Sequence, residues 1–268
     1  MSLRELAARV TGLGAPPRAA PWERWSAHDS RSTRAIGHGA WSRFLGRYVV
    51  SDPRGALVRY AAVPPADRAA LAGYIGTLAD IPVSSLARGE QLAYWVNLYN
   101  ALTVKVVLDH YPVASIRDIK PGGPLARGPW DRPFLSIEGV YVTLGDIEHR
   151  ILRPLWREPR VHFVLNCASL GCPDLGRTAF PAGDAESALD RATRLFVNEP
   201  KGAATRDGTL VLSSIFVWYA DDFGPAGPLP FIRRYAGAPL AEVLGRDPPV
   251  DHAYDWRLND AQTSEMSR

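Results

Sequence analysis

The chain has little of what usually names an activity. Two cysteines in 268 residues cannot make a disulfide framework. There is no G-x-G-x-x-G, no Walker lysine loop, no H-E-x-x-H and no G-x-S-x-G. Those absences remove the dehydrogenase, P-loop NTPase and zincin readings. The longest stretch without a charge, Gln91 to Val104, is 14 residues, whereas a membrane-spanning helix needs about 20. The first residues, MSLRELAARVTGLG, contain no apolar core of a secretory signal. Lysine is scarce, three against 28 arginines, a skew that fits a GC-rich bacterial genome better than a binding surface. A net charge of +3 gives no argument for nucleic acid. These absences lead to the expectation of a soluble cytoplasmic protein with no membrane span and no nucleic-acid partner.

What is present is ordinary globular material. Hydrophobic residues make up 46% and charged residues 22%, enough for one sizeable core without metal or disulfide. Residues 1–35, rich in Arg, Ala and Pro, read as a loosely attached arm, and 36–268 as one domain. Pro65-Ala66-Asp67 opens a helix with Leu71, Tyr74, Ile75 and Leu78 on one face. Glu138-Gly139 and Asp207-Gly208 each mark a hairpin. DIEHRIL reads as a short helix that Pro154 kinks or ends, and VHFVLNC as a buried strand. The fold expected is α+β: a single globular domain with a buried central helix, short hairpins and a small sheet.

Three segments carry polar groups in apolar surroundings. On the helix around Asn97, apolar side chains cover most of the circumference and leave a stripe of Glu90, Asn97 and Asn100. That stripe either lines a site or hydrogen-bonds a loop and organises the core, since an unpaired buried amide costs roughly 1–3 kcal/mol. On the segment 146–156, Glu148 falls amid Ile147, Ile151, Leu152 and Leu155 and needs a cation, for which Arg153 is the candidate. His149, at the edge of the same face, is placed for proton transfer. In the VHFVLNC strand, His162, Val164 and Asn166 would share one face, and Cys167 would enter the Gly/Pro loop that holds Cys172. A thiol there suits a nucleophile. It equally suits a reversible pair with Cys172, or two buried hydrophobes. Metal-ligand spacing is incomplete, so no metal or other cofactor is expected.

Together, EQLAYWVNLYNALTVKVVLDHYPVASIRDI, VTLGDIEHRILRP, VHFVLNCASLGCPDL, LSSIFVWYADDF and YDWRLN resemble the domain of unknown function 547 family of bacteria, plants and nematodes. The resemblance spans roughly Trp41 to Asn259. It implies motif positions at Glu90, Trp95, Asn97, Tyr99 and Asn100, at Asp146, Glu148, His149 and Arg153, and at His162, Asn166, Cys167, Cys172 and Pro173. In some eukaryotic relatives the domain is joined to glutaredoxin-like modules, and many bacterial relatives carry an export signal that these first residues lack. Three functions stay open. The first is a cysteine-dependent acyl-transfer enzyme (peptidase, amidase or transglutaminase-like) with Cys167 as nucleophile, His149 as base and Glu148 or an Asn orienting it, acting on a peptide or small molecule. The second is a non-catalytic interaction or scaffold domain with a buried polar network. The third is a thiol redox pair of Cys167 and Cys172.

Overall fold

The computed structural model describes residues 19–120 and 128–264. The opening MSLRELAARV and the Gly/Pro-rich stretch 121–127 lie outside them. Helix α1 (Gly39–Tyr48) buries Trp41, Phe44, Leu45 and Tyr48, the i, i+3, i+4, i+7 face of an amphipathic helix. The chain turns through a hairpin, β1 (Val49–Asp52) and β2 (Gly55–Val58), into α2 (Pro65–Ala79). Proline in the first turn of α2 costs no hydrogen bond, and Leu71, Tyr74, Ile75 and Leu78 are its buried face. The central helix α3 (Arg88–His110) is buried nearly all round from Gln91 to Leu108, as its long uncharged run requires. The protein is thus an α+β domain built around one enclosed helix.

A second hairpin, β3 (Pro133–Ile137) and β4 (Val140–Thr143), turns at Glu138 and Gly139. Both residues have positive φ, 48° and 77°, the backbone of a tight I′ turn. After α5 (Ala185–Asn198), strands β5 (Ala203–Arg206) and β6 (Thr209–Ser213) form a third hairpin. The short helix α6 (Ile215–Trp218), then α7 (Pro228–Tyr235) and α8 (Ala238–Gly245), lead to β7 (Val250–Ala253). β7 pairs parallel with β6, giving a three-stranded sheet. Phe163, Phe196 and Phe216 fill a second apolar cluster beneath this sheet.

Two expectations need correcting, and the alternatives left open at Pro154 are decided. VHFVLNC is not a strand: Pro159–Phe163 is a single 3₁₀ turn, opened by Glu158, whose carboxylate accepts the Arg160 N–H. The residues after it find a side chain in place of a ladder. Asn100 Nδ2 donates to the Val164 carbonyl and its Oδ1 accepts the Asn166 N–H, both at 2.9 Å. One amide therefore satisfies two backbone groups that a neighbouring strand would otherwise take.

The helix α4 between Asp146 and Trp156 does not end at Pro154. Asp146–Leu152 is wound as a π-helix and runs on into Arg153–Trp156, and the Arg153 N–H reaches back to the Glu148 carbonyl. Pro154 has no N–H, so neither the His149 carbonyl at π spacing nor the Arg150 carbonyl at α spacing can bond to it. Ala20 and Trp22 supply the missing donors, with N–H to His149 O at 3.1 Å and to Arg150 O at 2.9 Å.

That docking replaces the loose attachment expected of the segment for its described residues, 19–35. The described part of the 1–35 segment is held to the domain, and Trp25 is 1% exposed, in the core edge-on to Trp95 at 5.2 Å. Trp22 lies under the Arg150 guanidinium. Periodicity gives no hint of this, because two tryptophans and two backbone donors do the work of a helix face.

Candidate functional site

The polar stripe of α3 resolves into separate tasks. Asn97 grips the backbone of Phe180 from both sides, donating to its carbonyl at 2.9 Å and accepting its N–H at 2.8 Å. Asn100 holds the 164–166 backbone as described. Glu90, half-buried, accepts the Ile36 N–H at 3.2 Å. Both asparagines organise loops against the core, the second of the two outcomes that the wheel left open.

Around α4 lies a cluster of buried charge. The carboxylate of Glu148 accepts hydrogen bonds from the Tyr99 and Tyr219 hydroxyls, each at 2.9 Å. Arg153 is not its ion-pair partner. The guanidinium instead holds Asp222, Nε at 2.6 Å and Nη2 at 3.2 Å, and lies 4.5 Å from the Tyr219 ring centre. His162 Nε2 meets the same Asp222 carboxylate at 2.7 Å, and its ring stacks on Tyr219 at 4.2 Å. Arg153 Nη1 meets His149 Nδ1 at 3.0 Å. A guanidinium can only donate, so Nδ1 is the acceptor and the ring proton of neutral His149 sits on Nε2.

The electrostatics follow from that arrangement. Burial opposes ionisation of Glu148, but His149, His162 and Arg153, with the Tyr99 hydrogen bond, bring its pKa below the usual carboxylate value. Burial likewise works against the Asp222 carboxylate, and the hydrogen bonds from His162 and Arg153 overcome it, lowering the pKa to about 2. Burial lowers His149, with Arg153 adding to it against the pull of Glu148. Among the described residues no group of three His, Cys, Asp or Glu is arranged to hold a metal ion.

The two cysteines form a second cluster. Cys172 Sγ accepts the Cys167 N–H at 2.9 Å. The Tyr254 hydroxyl lies 3.2 Å from Cys167 Sγ and 3.1 Å from Cys172 Sγ, and 2.9 Å from the Ser169 hydroxyl. Ser169 Oγ is itself 3.4 Å from Cys167 Sγ. Cys167 is partly exposed and Cys172 buried. Among the described residues no imidazole is a hydrogen-bond partner of either sulfur.

The loop that holds the thiols is tied down at each step. Ala168 sits at φ 61°, an unfavourable conformation for a residue with a side chain. Asn166 fixes it, accepting the Ala168 N–H at 2.8 Å while donating to the Pro173 carbonyl at 2.8 Å. Residues 255–259 run alongside: Leu170 and Gly171 donate to the Arg257 and Asp255 carbonyls, and Asn259 donates to Ala168. At Gly171 a Cβ would stand 2.8 Å from the Asp255 nitrogen, so this close approach requires glycine.

Burial works against a thiolate at Cys172, but hydrogen bonds from the Cys167 thiol, Ser169, Tyr254 and the Cys167 N–H overcome it and bring its pKa to about 6. The bond to Cys172, then burial, pushes Cys167 well above the usual thiol value. Burial, then the Glu148 carboxylate, pushes the Tyr99 and Tyr219 phenols well above the usual value, and charge on the nearby thiol pair adds to it.

Of the residues singled out from sequence, Glu148, His149, Arg153 and His162 share one cluster, and Asn166, Cys167 and Cys172 share the other. Tyr219, Asp222, Ser169 and Tyr254 were not singled out. Three of them stood in the quoted segments LSSIFVWYADDF and YDWRLN, where they broke no hydrophobic pattern and so gave no signal of their own.

The fold and its two clusters define an α+β domain with paired free thiols beside a buried ionic network. Residues 83–197 match the family model described as "Protein of unknown function, DUF547", so the chain resembles that family over α3, both hairpin strands β3 and β4, α4, the thiol loop and most of α5. Tyr219, Asp222 and Tyr254 lie beyond the matched segment. Neither a curated protein nor a solved structure matches the chain. No helix among the described residues is long and apolar enough to cross a membrane.

Proposed function

We propose that the protein carries out thiol–disulfide chemistry at Cys167 and Cys172. One observation carries the reading: a single hydroxyl, that of Tyr254, lies on both sulfurs, and the Cys167 N–H points at Cys172. A thiolate solvated by fixed donors forms at lower pH and makes its neighbour available to close a disulfide. The acyl-transfer reading needs a base at the sulfur. Here His149 is engaged by Arg153 and His162 by Asp222, while the sulfurs meet hydroxyls. Glu148 and the two histidines serve as a buried frame next to the thiols.

The test starts from fully reduced protein treated with diamide. Both thiols are expected to disappear together, with a mass lower by two hydrogens, and dithiothreitol should restore them. Cys167→Ser and Cys172→Ser should each abolish the change. If one thiol alkylates rapidly with iodoacetamide while the oxidised protein never forms an internal disulfide, the redox reading fails. A covalent acyl-enzyme on Cys167 with an activated ester would then favour acyl transfer.

A further inference from the structure

Next to the thiol pair lies a cleft of about 780 Å³, within the size range of small-molecule sites. Tyr254 belongs to both: it lines the cleft, and its hydroxyl touches both sulfurs. Gly171, the residue before Cys172, lines the cleft too. The walls alternate in charge. At the β1–β2 turn Arg54 lies 2.8 Å from Asp52, and on the last segment Arg257 lies 2.5 Å from Asp255. Each aspartate also accepts the backbone N–H of its arginine two residues on, which fixes the guanidinium at its place on the wall. Between them Lys201 bridges Asp174 and Glu199, meeting the buried Oε2 of Glu199 at 3.4 Å. Arg206 adds a cation that pairs with no carboxylate among the described residues.

A ligand of one sign would meet like charge somewhere on every wall. A ligand that carries carboxylate and ammonium together would meet complementary groups throughout. Resting on the thiol–disulfide reading, we propose that this cleft docks the disulfide co-substrate, and that its class is a small zwitterionic disulfide. The exchange balances with that molecule as oxidant. A cysteine thiolate of the pair attacks one substrate sulfur, forming a mixed disulfide and releasing one substrate thiolate. The other cysteine, as it loses its proton, attacks the protein sulfur of the mixed disulfide, closing Cys167–Cys172 and releasing the second thiolate. The substrate gains two electrons and the pair loses two; the two cysteine protons end on the released thiols.

The experiment measures the rate at which four small disulfides oxidise the reduced full-length protein: cystine (both charges), cystamine (cationic), dithiodiglycolate (anionic) and 2-hydroxyethyl disulfide (neutral). Each rate is divided by that for free dithiothreitol, which removes intrinsic reactivity. Cystine is expected to lead the neutral disulfide by about tenfold, an advantage that shrinks at high salt. Arg206→Glu, at an exposed position, should slow cystine by about threefold and slow the neutral disulfide less. Equal normalised rates for all four, or a lead for either reagent whose charges are all of one sign, would overturn the docking proposal while leaving the thiol reading intact. If none of the four, nor diamide, closes the pair, the thiol reading itself has failed.

Discussion

Arg153 grips Asp222 through two nitrogens, at 2.6 and 3.2 Å, across 69 residues of sequence. Both groups are largely out of water, with side-chain exposures of 5% and 18%. Removing one partner of such a pair strands the other, and Asp222→Ala should destabilise the protein by about 3–5 kcal/mol in urea unfolding. The folded pKa of Asp222, about 2, lies below its ordinary 3.8. Its contribution is therefore present above pH about 4 and is lost as the pH falls towards 2. Asp222→Asn should flatten the stability profile across that window, and an unchanged profile would contradict the assignment.

Glu148 is the shared acceptor of two buried phenols. Glu148→Ala leaves the Tyr99 and Tyr219 hydroxyls without a partner, at roughly 1–3 kcal/mol for each. Glu148→Gln keeps one acceptor oxygen and should cost visibly less. Thermal melts of the two variants, compared with wild type, check the order; equal melting temperatures would mean the tyrosines find other partners.

Tyr254 supplies a donor to the thiol pair. Without it, the first thiolate loses one of its stabilising hydrogen bonds, and its pKa should rise from about 6 towards the ordinary thiol value. The pH midpoint of iodoacetamide alkylation in Tyr254→Phe should move upward by about one unit. A midpoint that stays where it is would remove Tyr254 from the site.

Trp25 ties the segment before α1 to the core. Trp25→Ala should cost about 3–5 kcal/mol, as for other large buried aromatics, and deleting residues 1–35 should lower the melting temperature. Full retention of stability in the deletion would show that the edge-on contact with Trp95 contributes nothing.

His38 contributes an acid sensitivity of its own. Its Nδ1 meets the Tyr74 hydroxyl at 2.7 Å, its Nε2 is buried without a partner, and burial lowers its pKa from 6.5 to about 4. The unfolded chain therefore takes up this proton first, and stability falls as the pH drops from 6.5 towards 4. His38→Phe should lessen that fall between pH 7 and 5, measured as the urea midpoint at each pH.

Much of the fold was legible because local chemistry agreed with it. Leu71, Tyr74, Ile75 and Leu78 made α2 readable by spacing, and Glu138-Gly139 and Asp207-Gly208 made two hairpins readable by turn type. The uncharged run of α3 announced its burial. VHFVLNC was misread because its β-branched and apolar residues suit a strand equally well, and nothing local shows that Asn100, more than sixty residues earlier, takes the ladder's place. The polar anomalies at Glu148, Asn97 and Asn100 were visible for the same reason that they matter: each is buried and had to have a partner. Which partner was not visible. Glu148 and Arg153 are neighbours along the helix, yet the π winding of α4 and the approach of Tyr219 and Asp222 from a distant segment give each a different one.

The segment 255–259 that borders the thiol loop has a consequence for biosynthesis. A nascent chain that has emerged only as far as β7 already contains both cysteines, but not yet the carbonyls of Asp255 and Arg257 that anchor Leu170 and Gly171, nor the Asn259 N–H that caps Ala168. During that interval Cys167 and Cys172 are two ordinary thiols on an unanchored loop. The groups that hold the loop arrive together, when the segment that follows β7 is laid down beside it. Synthesis of residues 255–259 therefore completes the thiol loop only after α3 and most of the apolar core around it are already in the chain.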